Sequence, residues 1–340
     1  MDSLSDYDYD LPAGLIAQAP LADRAASRLL VLNRSLGTVS HRLFRDFPSL
    51  LEPGDVLVVN ETRVTALRLL GARADTGGRV ELLVLRPEPG GFLCLAKPAR
   101  RLTSGVQLRF PQNLTGTVIG QGPNGARIVA FDEPSRLAEV GRVPLPPYIR
   151  FDLDEAERYQ TVYSRAGADA GSAAAPTAGL HFTPEILAAV RASGVQVVAV
   201  SLEVGIDTFR PVHADNLDEH VMHGEACTVS EAVAEAIAGA RGRVIAVGTT
   251  TARTLETFAR LPGSSGRALV AGSTTSKLFL RPGNEFKIVD ALLTNFHLPR
   301  TTMLMMLSAL AGRESVMNAY SQAILERYRF LSFGDAMLID

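Results

Sequence analysis

The chain has 340 residues, of which 46% are hydrophobic and 21% charged, and this ordinary globular composition excludes a disordered or collagen-like protein. Its 34 basic and 36 acidic residues give a formal net charge of −2, so any nucleic-acid partner must bind a local basic patch. No run of about 18 apolar residues and no basic, signal-like start is present, and we therefore expect a cytoplasmic protein that does not enter a membrane.

The first 148 residues contain signals for strands. Two apolar runs at 29–32 and 56–59 predict buried strands. Further strands, separated by turns with Gly or Pro and without a helical period, are predicted at 79–86, 92–97, 106–110, 115–119 and 126–131. This close spacing is typical of a small antiparallel barrel or sandwich. The proline-rich run at 144–148 predicts a stiff linker.

After residue 154, helices and strands alternate. Thr183 and Ser230 are predicted to cap helices. The helices are predicted at 155–163, 184–194 and 231–240, and the strands at 195–204 and 243–247. Such alternation is typical of an α/β layer or open barrel. The sequence thus predicts an α/β domain, layered or open-barrel-like, of residues 1–65 and 150–340, with an inserted small antiparallel domain of residues 66–149 that is a β-barrel or a sandwich.

Small residues at 174–180 end at His181, just before a capped helix. Small side chains let a ligand approach the backbone, and a histidine can act as a base near neutral pH. A linker with one surface histidine would show the same pattern.

The segment 219–225 holds His220, His223 and Glu225 within seven residues. A zinc or iron site is one interpretation, although the spacing matches no strong zinc motif. A hydrogen-bonding cluster that positions a substrate and a solvated turn are the alternatives. Cys94 and Cys227 are too few and too distant in sequence to form a thiolate metal cluster by themselves.

Three further segments place polar groups where ligands often bind. A buried strand leads through Thr249 and Thr250 to Arg253, a pattern that suits a carboxylate or phosphate at a helix N-terminus, although an ordinary capped turn looks the same. Asn295 and His297 follow an apolar run at a predicted strand end. The C-terminal run 328–337 permits stacking on a base, but buried packing is the commoner use of such rings.

Taken together, these motifs closely resemble the S-adenosylmethionine:tRNA ribosyltransferase-isomerase family of the queuosine pathway. The resemblance runs in order over nearly the whole chain. It is carried by residues 8–12, 16–18, 27–30, 53–55, 60–64, 144–149, the small-residue loop ending at 181–182, 208–212, the histidine cluster, 247–256, 294–299 and 328–337.

The resemblance implies transfer and isomerisation of the ribosyl part of S-adenosylmethionine onto 7-aminomethyl-7-deazaguanine at the tRNA wobble position. Epoxyqueuosine would form while adenine and methionine leave. The partners would be S-adenosylmethionine, as a consumed co-substrate, and a tRNA carrying the precursor base, with no metal or other cofactor. We expect a monomer.

The chemistry requires a base, because the carbon beside the sulfonium must lose a proton. We assign His181 as that base, with His220, His223, Glu225 and Glu203 as further catalytic candidates. Arg253 would hold the methionine carboxylate. The substrate-binding candidates are Thr177, Gly179, Arg210, Thr249, Thr250, Arg253, Asn295, His297, Phe333 and Asp335.

Two positions depart from the pattern. Where the family commonly has a histidine and a glycine, this chain has Glu203 and Asp207. The added carboxylates would favour a cation, or Glu203 would take over a proton transfer.

Phosphate contacts are expected from basic residues at and on the insertion: Arg63, Arg68, Arg73, Lys97, Arg100 and Arg101. Simple solubility explains these side chains equally well. Two rival functions stay open at this point, a metal-dependent hydrolase built on His220, His223 and Glu225, and a non-catalytic RNA-binding protein.

Overall fold

The structure is a computed structural model that describes residues 3–153, 155–165, 172–205, 217, 222 and 224–340. Its strands are β1 Arg28–Asn33, β2 Thr38–Leu43, β3 Val56–Asn60, β4 Leu67–Arg73, β5 Arg79–Glu88, β6 Gly91–Lys97, β7 Gln107–Arg109, β8 Thr115–Gln121, β9 Arg127–Phe131, β10 Gln196–Leu202, β11 Glu225–Val229, β12 Val244–Val247, β13 Gly272–Ser276, β14 Ala291–Asn295 and β15 Ala336–Ile339. Its α-helices are α1 Leu137–Val140, α2 Pro184–Ala192, α3 Glu231–Ala238, α4 Thr249–Phe258, α5 Thr302–Ala311 and α6 Arg313–Leu325. Within these residues no helix combines the length and apolar character needed to cross a membrane.

Nine strands form a large mixed sheet in the order β13-β11-β10-β3-β12-β14-β15-β1-β2. The neighbours β10, β3, β12 and β14 run parallel to one another. β3, β12 and β14 are buried along their whole length, because their runs of Val, Leu and Ile pack on both faces. One face packs against α2 and the 3-10 helix Phe44–Leu50, and the other against α3, α4, α5 and α6.

The strands β4 to β9 form a closed barrel in the order β4-β5-β6-β9-β8-β7, with antiparallel pairs throughout. In sequence they lie between β3 and β10, which are neighbours in the large sheet. The predicted fold class is therefore confirmed, and the insertion is a barrel rather than a sandwich. The exact domain limits, 65/66 and 149/150, stay a prediction.

Strand β4 was not predicted. Only Leu69 of its seven residues is buried, so its sequence lacks the alternating pattern of a half-buried strand. Its place is set by its partners: a Cβ on Gly71 would lie 2.4 Å from the carbonyl oxygen of Arg109 in the neighbouring β7.

The helix predicted at 155–163 is wrong. The structure has a 3-10 helix, Ala156–Tyr159, and Gln160 is already extended. The carboxamide of Gln160 accepts from Val64 N at 3.1 Å and donates to Val64 O at 2.9 Å, which holds the chain against Val64 and prevents a longer helix. The caps of the other two predicted helices are confirmed, since Thr183 accepts from Ile186 N and Ser230 accepts from Val233 N, both at 3.3 Å.

A buried carboxylate fixes α4 to the chain that enters β14. Glu256 is fully buried and accepts from the backbone N–H groups of Lys287, Ile288 and Val289 at 2.8–3.0 Å. It also pairs with Arg260 at 2.5 Å. Because a buried carboxylate needs such partners, this cluster sets the position of the helix beside the sheet.

A second buried carboxylate joins β3 to β12. Asp55 accepts from Arg243 N and from its guanidinium, both at 2.7 Å. Burial by itself would raise the pKa of Asp55, but the hydrogen bonds from Arg243 and from Glu52 N outweigh it, and the pKa lies below its usual range.

We expect Asp55→Asn to lower the free energy of unfolding by about 2 kcal/mol at pH 7, the value of a hydrogen bond to a charged group. A lowered folded-state pKa stabilises the fold above the unfolded pKa of about 4, and this stabilisation is lost as pH falls through the folded value. The difference between wild type and variant, measured by urea unfolding, should therefore shrink below about pH 4. Asp23→Asn, which changes an exposed partner of Arg45, is the control. A difference that stays constant down to pH 2 would contradict this account.

Candidate functional site

The four parallel strands end at the same edge of the sheet, and a cavity of about 130 Å³ lies there. Ligands commonly bind at the carboxyl ends of such strands. The described residues that line the cavity are Tyr148, Ala175, Pro176, Thr177, Ala178, Val204, Gly248, Thr249, Thr250, Thr294, Asn295, Phe296, His297, Leu298, Pro299, Thr301, Met303, Leu331 and Ser332. Of the predicted site residues, the structure thus places Thr177, Thr249, Thr250, Asn295 and His297 in the lining of one cavity.

The N-terminus of α4 forms part of this wall. Gly248 precedes the helix with a φ of 89°, in the region that favours glycine, and no side chain caps the helix there. Thr249 and Thr250 follow it along the cavity. An uncapped helix start offers N–H groups and partial positive charge to an anion, so the sequence expectation for this turn has a suitable geometry.

His181 lies behind the wall rather than in it. The ring is buried at the end of the 3-10 helix Thr177–His181, with its centroid 5.0 Å from that of Phe44. Its Nδ1 is 2.8 Å from Ser27 Oγ, and its Nε2 is 3.3 Å from Asn295 Nδ2. Burial, helped by the nearby guanidinium groups of Arg329 and Arg24, lowers the pKa of His181 to about 3. The imidazole is therefore neutral at physiological pH and touches the cavity through Asn295.

His297 lies in the wall itself. Its Nε2 is 2.8 Å from Thr294 Oγ1, and its backbone N–H donates to Tyr320 Oη at 3.0 Å. Burial lowers the pKa of His297 to about 4. One uncharged imidazole thus lies in the cavity wall, and a second, that of His181, lies behind it against Asn295.

Arg253 is buried against Glu225 instead of facing the cavity. The two side chains form an ion pair and are 10% and 7% exposed. Glu225, the first residue of β11, also accepts from Gly205 N at 3.1 Å. Burial lowers the pKa of Arg253 to about 10. Glu203 lies just beyond β10, where its N–H donates to Ala226 O at 3.0 Å.

Three other predicted residues pack around the site. A Cβ on Gly179 would clash with Tyr163 Oη, so a larger residue here would force the Tyr163 side chain to move. Phe333 lines a second cavity, of about 20 Å³, together with His181. Asp335 is buried and accepts from Arg28 N at 2.9 Å and Arg329 N at 2.8 Å, which ties the C-terminal run to β1.

Arg210, His220, His223 and Asp207 lie outside the described residues. In the part of the chain that the structure describes, no three His, Cys, Asp or Glu side chains are grouped as metal ligands. The interpretation of 219–225 as a cluster stays a prediction.

The six basic residues assigned to phosphates divide into two sets. Arg63, Arg68 and Arg73 pair with Glu157, Glu81 and Asp75. Lys97, Arg100 and Arg101 are exposed at the end of β6 and in the following 3-10 helix Ala99–Arg101. Arg68 and Lys97 also line a groove of about 460 Å³ between the barrel and residues 144–149.

The sequence interpretation missed several residues of the cavity, notably Tyr148 and Ser332. Their hydroxyl oxygens are 2.7 Å apart, which joins the linker after the barrel to the C-terminal run. Both belong to motifs that carry the resemblance, but each motif was interpreted by itself, so their meeting was not predicted.

Comparisons with known proteins find relatives that match nearly the whole chain. A family model described as "Queuosine biosynthesis protein" matches residues 4–339. S-adenosylmethionine:tRNA ribosyltransferase-isomerases of Symbiobacterium thermophilum and Moorella thermoacetica are each 49% identical, with 99% of both chains covered. The crystal structure of S-adenosylmethionine tRNA ribosyltransferase from Thermotoga maritima is 38% identical with a TM-score of 0.56, covering 99% of this chain and 100% of that one.

Proposed function

Because this chain belongs to the queuosine biosynthesis protein family, we infer that it is an S-adenosylmethionine:tRNA ribosyltransferase-isomerase. It transfers and isomerises the ribosyl moiety of S-adenosylmethionine onto 7-aminomethyl-7-deazaguanine at the tRNA wobble position. The product is epoxyqueuosine, and adenine and methionine leave. Near-complete coverage at 49% identity carries this assignment.

The co-substrate is assigned to the cavity at the carboxyl edge of the large sheet. Its walls combine apolar side chains with a few fixed polar groups, the usual composition of a small-molecule site. Since 130 Å³ is below the roughly 300 Å³ of a typical pocket, a nucleoside would extend beyond the described walls. We assign the methionine carboxylate to the N-terminus of α4. Arg253 belongs to the same helix and would act only indirectly, by fixing the position of α4 through its ion pair with Glu225. The proposal includes no resident cofactor, because S-adenosylmethionine is consumed.

The reaction begins when a base removes a proton from the carbon between the ribose ring and the sulfonium sulfur. The ring then opens and expels adenine, the amine of the tRNA base attacks the sugar chain, and closure of the epoxide displaces methionine as a thioether. We assign His181 as the base, with its Nε2 reaching the substrate once the 3.3 Å contact with Asn295 gives way. Thr177 and His297 would hold the ribose. Glu203, Glu225, His220 and His223 stay candidates for the later proton transfers, and Arg210, Gly179, Phe333 and Asp335 for shaping the site.

Transfer RNA is assigned to the barrel side of the molecule. Lys97, Arg100 and Arg101 present exposed positive charge there, and the adjoining groove offers apolar surface for an unstacked base. Arg63, Arg68 and Arg73 would add less, because each already has a carboxylate partner. From the sequence alone, we also propose a cytoplasmic monomer.

We expect affinity for tRNA to fall with salt and to depend on the exposed set. Changing Lys97, Arg100 and Arg101 to alanine should weaken binding and reduce the slope of log K against log[salt] by about 2–3, since each phosphate contact contributes roughly 0.7–0.9. Fluorescence anisotropy across a salt series measures both quantities. A variant with Arg34→Ala, Arg42→Ala and Arg45→Ala, exposed arginines of the large domain, loses the same three positive charges and controls for net charge. An unchanged slope in the triple variant would contradict the assignment.

The experiment that tests the function is incubation of the purified chain with labelled S-adenosylmethionine and tRNA carrying the aminomethyl base. Label entering the tRNA together with stoichiometric adenine release is expected. Binding of tRNA without either product would favour the RNA-binding alternative. Stoichiometric zinc or iron found by elemental analysis of an inactive protein would favour the hydrolase.

A further inference from the structure

A serine outside the cavity determines how His181 is hydrogen-bonded. Ser27 is 3% exposed and immediately precedes β1. Its Oγ lies 3.1 Å from Arg24 O and 2.8 Å from His181 Nδ1. A carbonyl oxygen only accepts, so the single hydroxyl proton of Ser27 goes to Arg24 O. Ser27 Oγ must then accept from His181, which places a proton on Nδ1.

The other ring nitrogen leads to the same tautomer from separate contacts. Thr177 Oγ1 donates to Asn295 Oδ1 at 2.8 Å, which turns the amide nitrogen of Asn295 toward His181 Nε2. An amide nitrogen only donates, so Nε2 accepts and carries the lone pair. A neutral imidazole has one N–H, and both sides of the ring therefore agree on its position.

We propose that Ser27 is a positioning residue that holds the proton of His181 on Nδ1 and keeps the lone pair of Nε2 directed at the cavity wall. Its importance for the rate rests on the proposed function, in which Nε2 is the base. The tautomer itself depends only on the hydrogen bonds.

The surroundings hold this arrangement in place. The Arg24 guanidinium donates to Gln160 O at 2.9 Å and to Leu180 O at 3.3 Å. Arg24, whose carbonyl accepts from Ser27, is therefore bonded to the 3-10 helix that contains His181. The charged groups that act on His181 are Arg24 and Arg329, and both disfavour a second proton on the ring. Loss of the Ser27 hydroxyl would leave a buried Nδ1–H without its acceptor. The amide of Asn295 can turn so that its oxygen accepts from Nε2, and the preference for the original tautomer is then lost.

The test is nitrogen-15 NMR of the histidine side chains, with the His181 signals identified by their loss in His181→Asn. Wild-type protein should show a protonated Nδ1 and an unprotonated Nε2. Ser27→Ala should shift His181 toward the other tautomer and lower the single-turnover rate at least about tenfold with little change in KM, because the lone pair then points away from the substrate. Ser27→Thr, which retains the hydroxyl, should restore both the tautomer and the rate.

Two more variants make the outcome unambiguous. Ser193→Ala removes a hydroxyl that donates to Val190 O at 2.8 Å at the end of α2, and it should change neither signal nor rate. Asn295→Asp replaces the donor to Nε2 by an acceptor and should put a proton on Nε2 even if Ser27→Ala does not fold. A wild-type ring protonated on Nε2, or an unchanged tautomer in Ser27→Ala, overturns the proposal. A correct tautomer in a protein that transfers no ribose would instead refute the proposed function alone.

Discussion

Replacing His181 with asparagine is expected to lower the single-turnover rate of ribosyl transfer by about 10²- to 10⁴-fold, the usual contribution of general acid–base catalysis. The neutral ring is held between Ser27 and Asn295 with its Nε2 toward the cavity, and asparagine offers no base of comparable strength. Adenine release with enzyme in excess over tRNA measures the chemical step directly. His41→Asn is the matched control, because His41 lies on the outer strand β2, where it contacts Tyr328, and does not line the cavity. A near-normal rate in His181→Asn would exclude the base assignment.

The same assignment determines the acid side of the pH profile. A base acts only when it is deprotonated, and burial with two neighbouring guanidinium groups lowers the pKa of His181 to about 3. Protonation of His181 should therefore not lower the rate as pH falls through 6.5, the ordinary pKa of histidine. A limb near pH 6.5 that disappears in His181→Asn would contradict the buried, neutral state of the ring.

Replacing Glu225 with glutamine is expected to lower the free energy of unfolding by about 3–5 kcal/mol, because it leaves the buried guanidinium of Arg253 without a counter-charge. Both side chains are at least 90% buried, so little solvent is available to compensate. The variant also replaces the carboxylate that accepts from Gly205 N. Urea unfolding with an unchanged m-value would show the loss as a lower midpoint.

A double variant separates this loss of charge balance from simple loss of contacts. Glu225→Gln combined with Arg253→Met removes both charges and should be clearly more stable than Glu225→Gln alone, since no unpaired cation is left inside. If the two variants have the same stability, the pair does not contribute in the way proposed. A loss below about 1 kcal/mol in the single variant, the range of exposed pairs, would lead to the same conclusion.

The parts of the site that follow one strand could be predicted from the sequence. Asn295 is the last residue of the buried strand β14, and Thr249 follows the buried strand β12 after Gly248. Parallel strands bring their carboxyl ends together. Helix caps at Thr183 and Ser230 were equally readable, because a cap depends on residues within one turn.

The parts that depend on two distant segments could not be predicted. Arg253 lies in its helix where an arginine could bind an anionic ligand. Only the packing of α4 near β11 shows that it forms an ion pair with Glu225 instead. His181 has the sequence context of a surface histidine or a base, and its buried place beside Ser27 depends on where β1 begins. Strand β4 likewise exists because β5 and β7 pair with it, and its own residues carry little pattern.

Among the described residues that line the cavity, none carries a formal charge, and both imidazoles beside it are neutral above about pH 4. In the proposed binding mode, the trivalent sulfur cation meets no formally charged group among these residues, and the partial positive charge at the N-terminus of α4 faces the methionine carboxylate instead. During the reaction that sulfur becomes the uncharged thioether of methionine. The described walls carry no ion that would bind the sulfonium far more strongly than methionine. In that binding mode, discharge of the sulfonium breaks no salt bridge to the described walls, so its electrostatic gain favours epoxide formation.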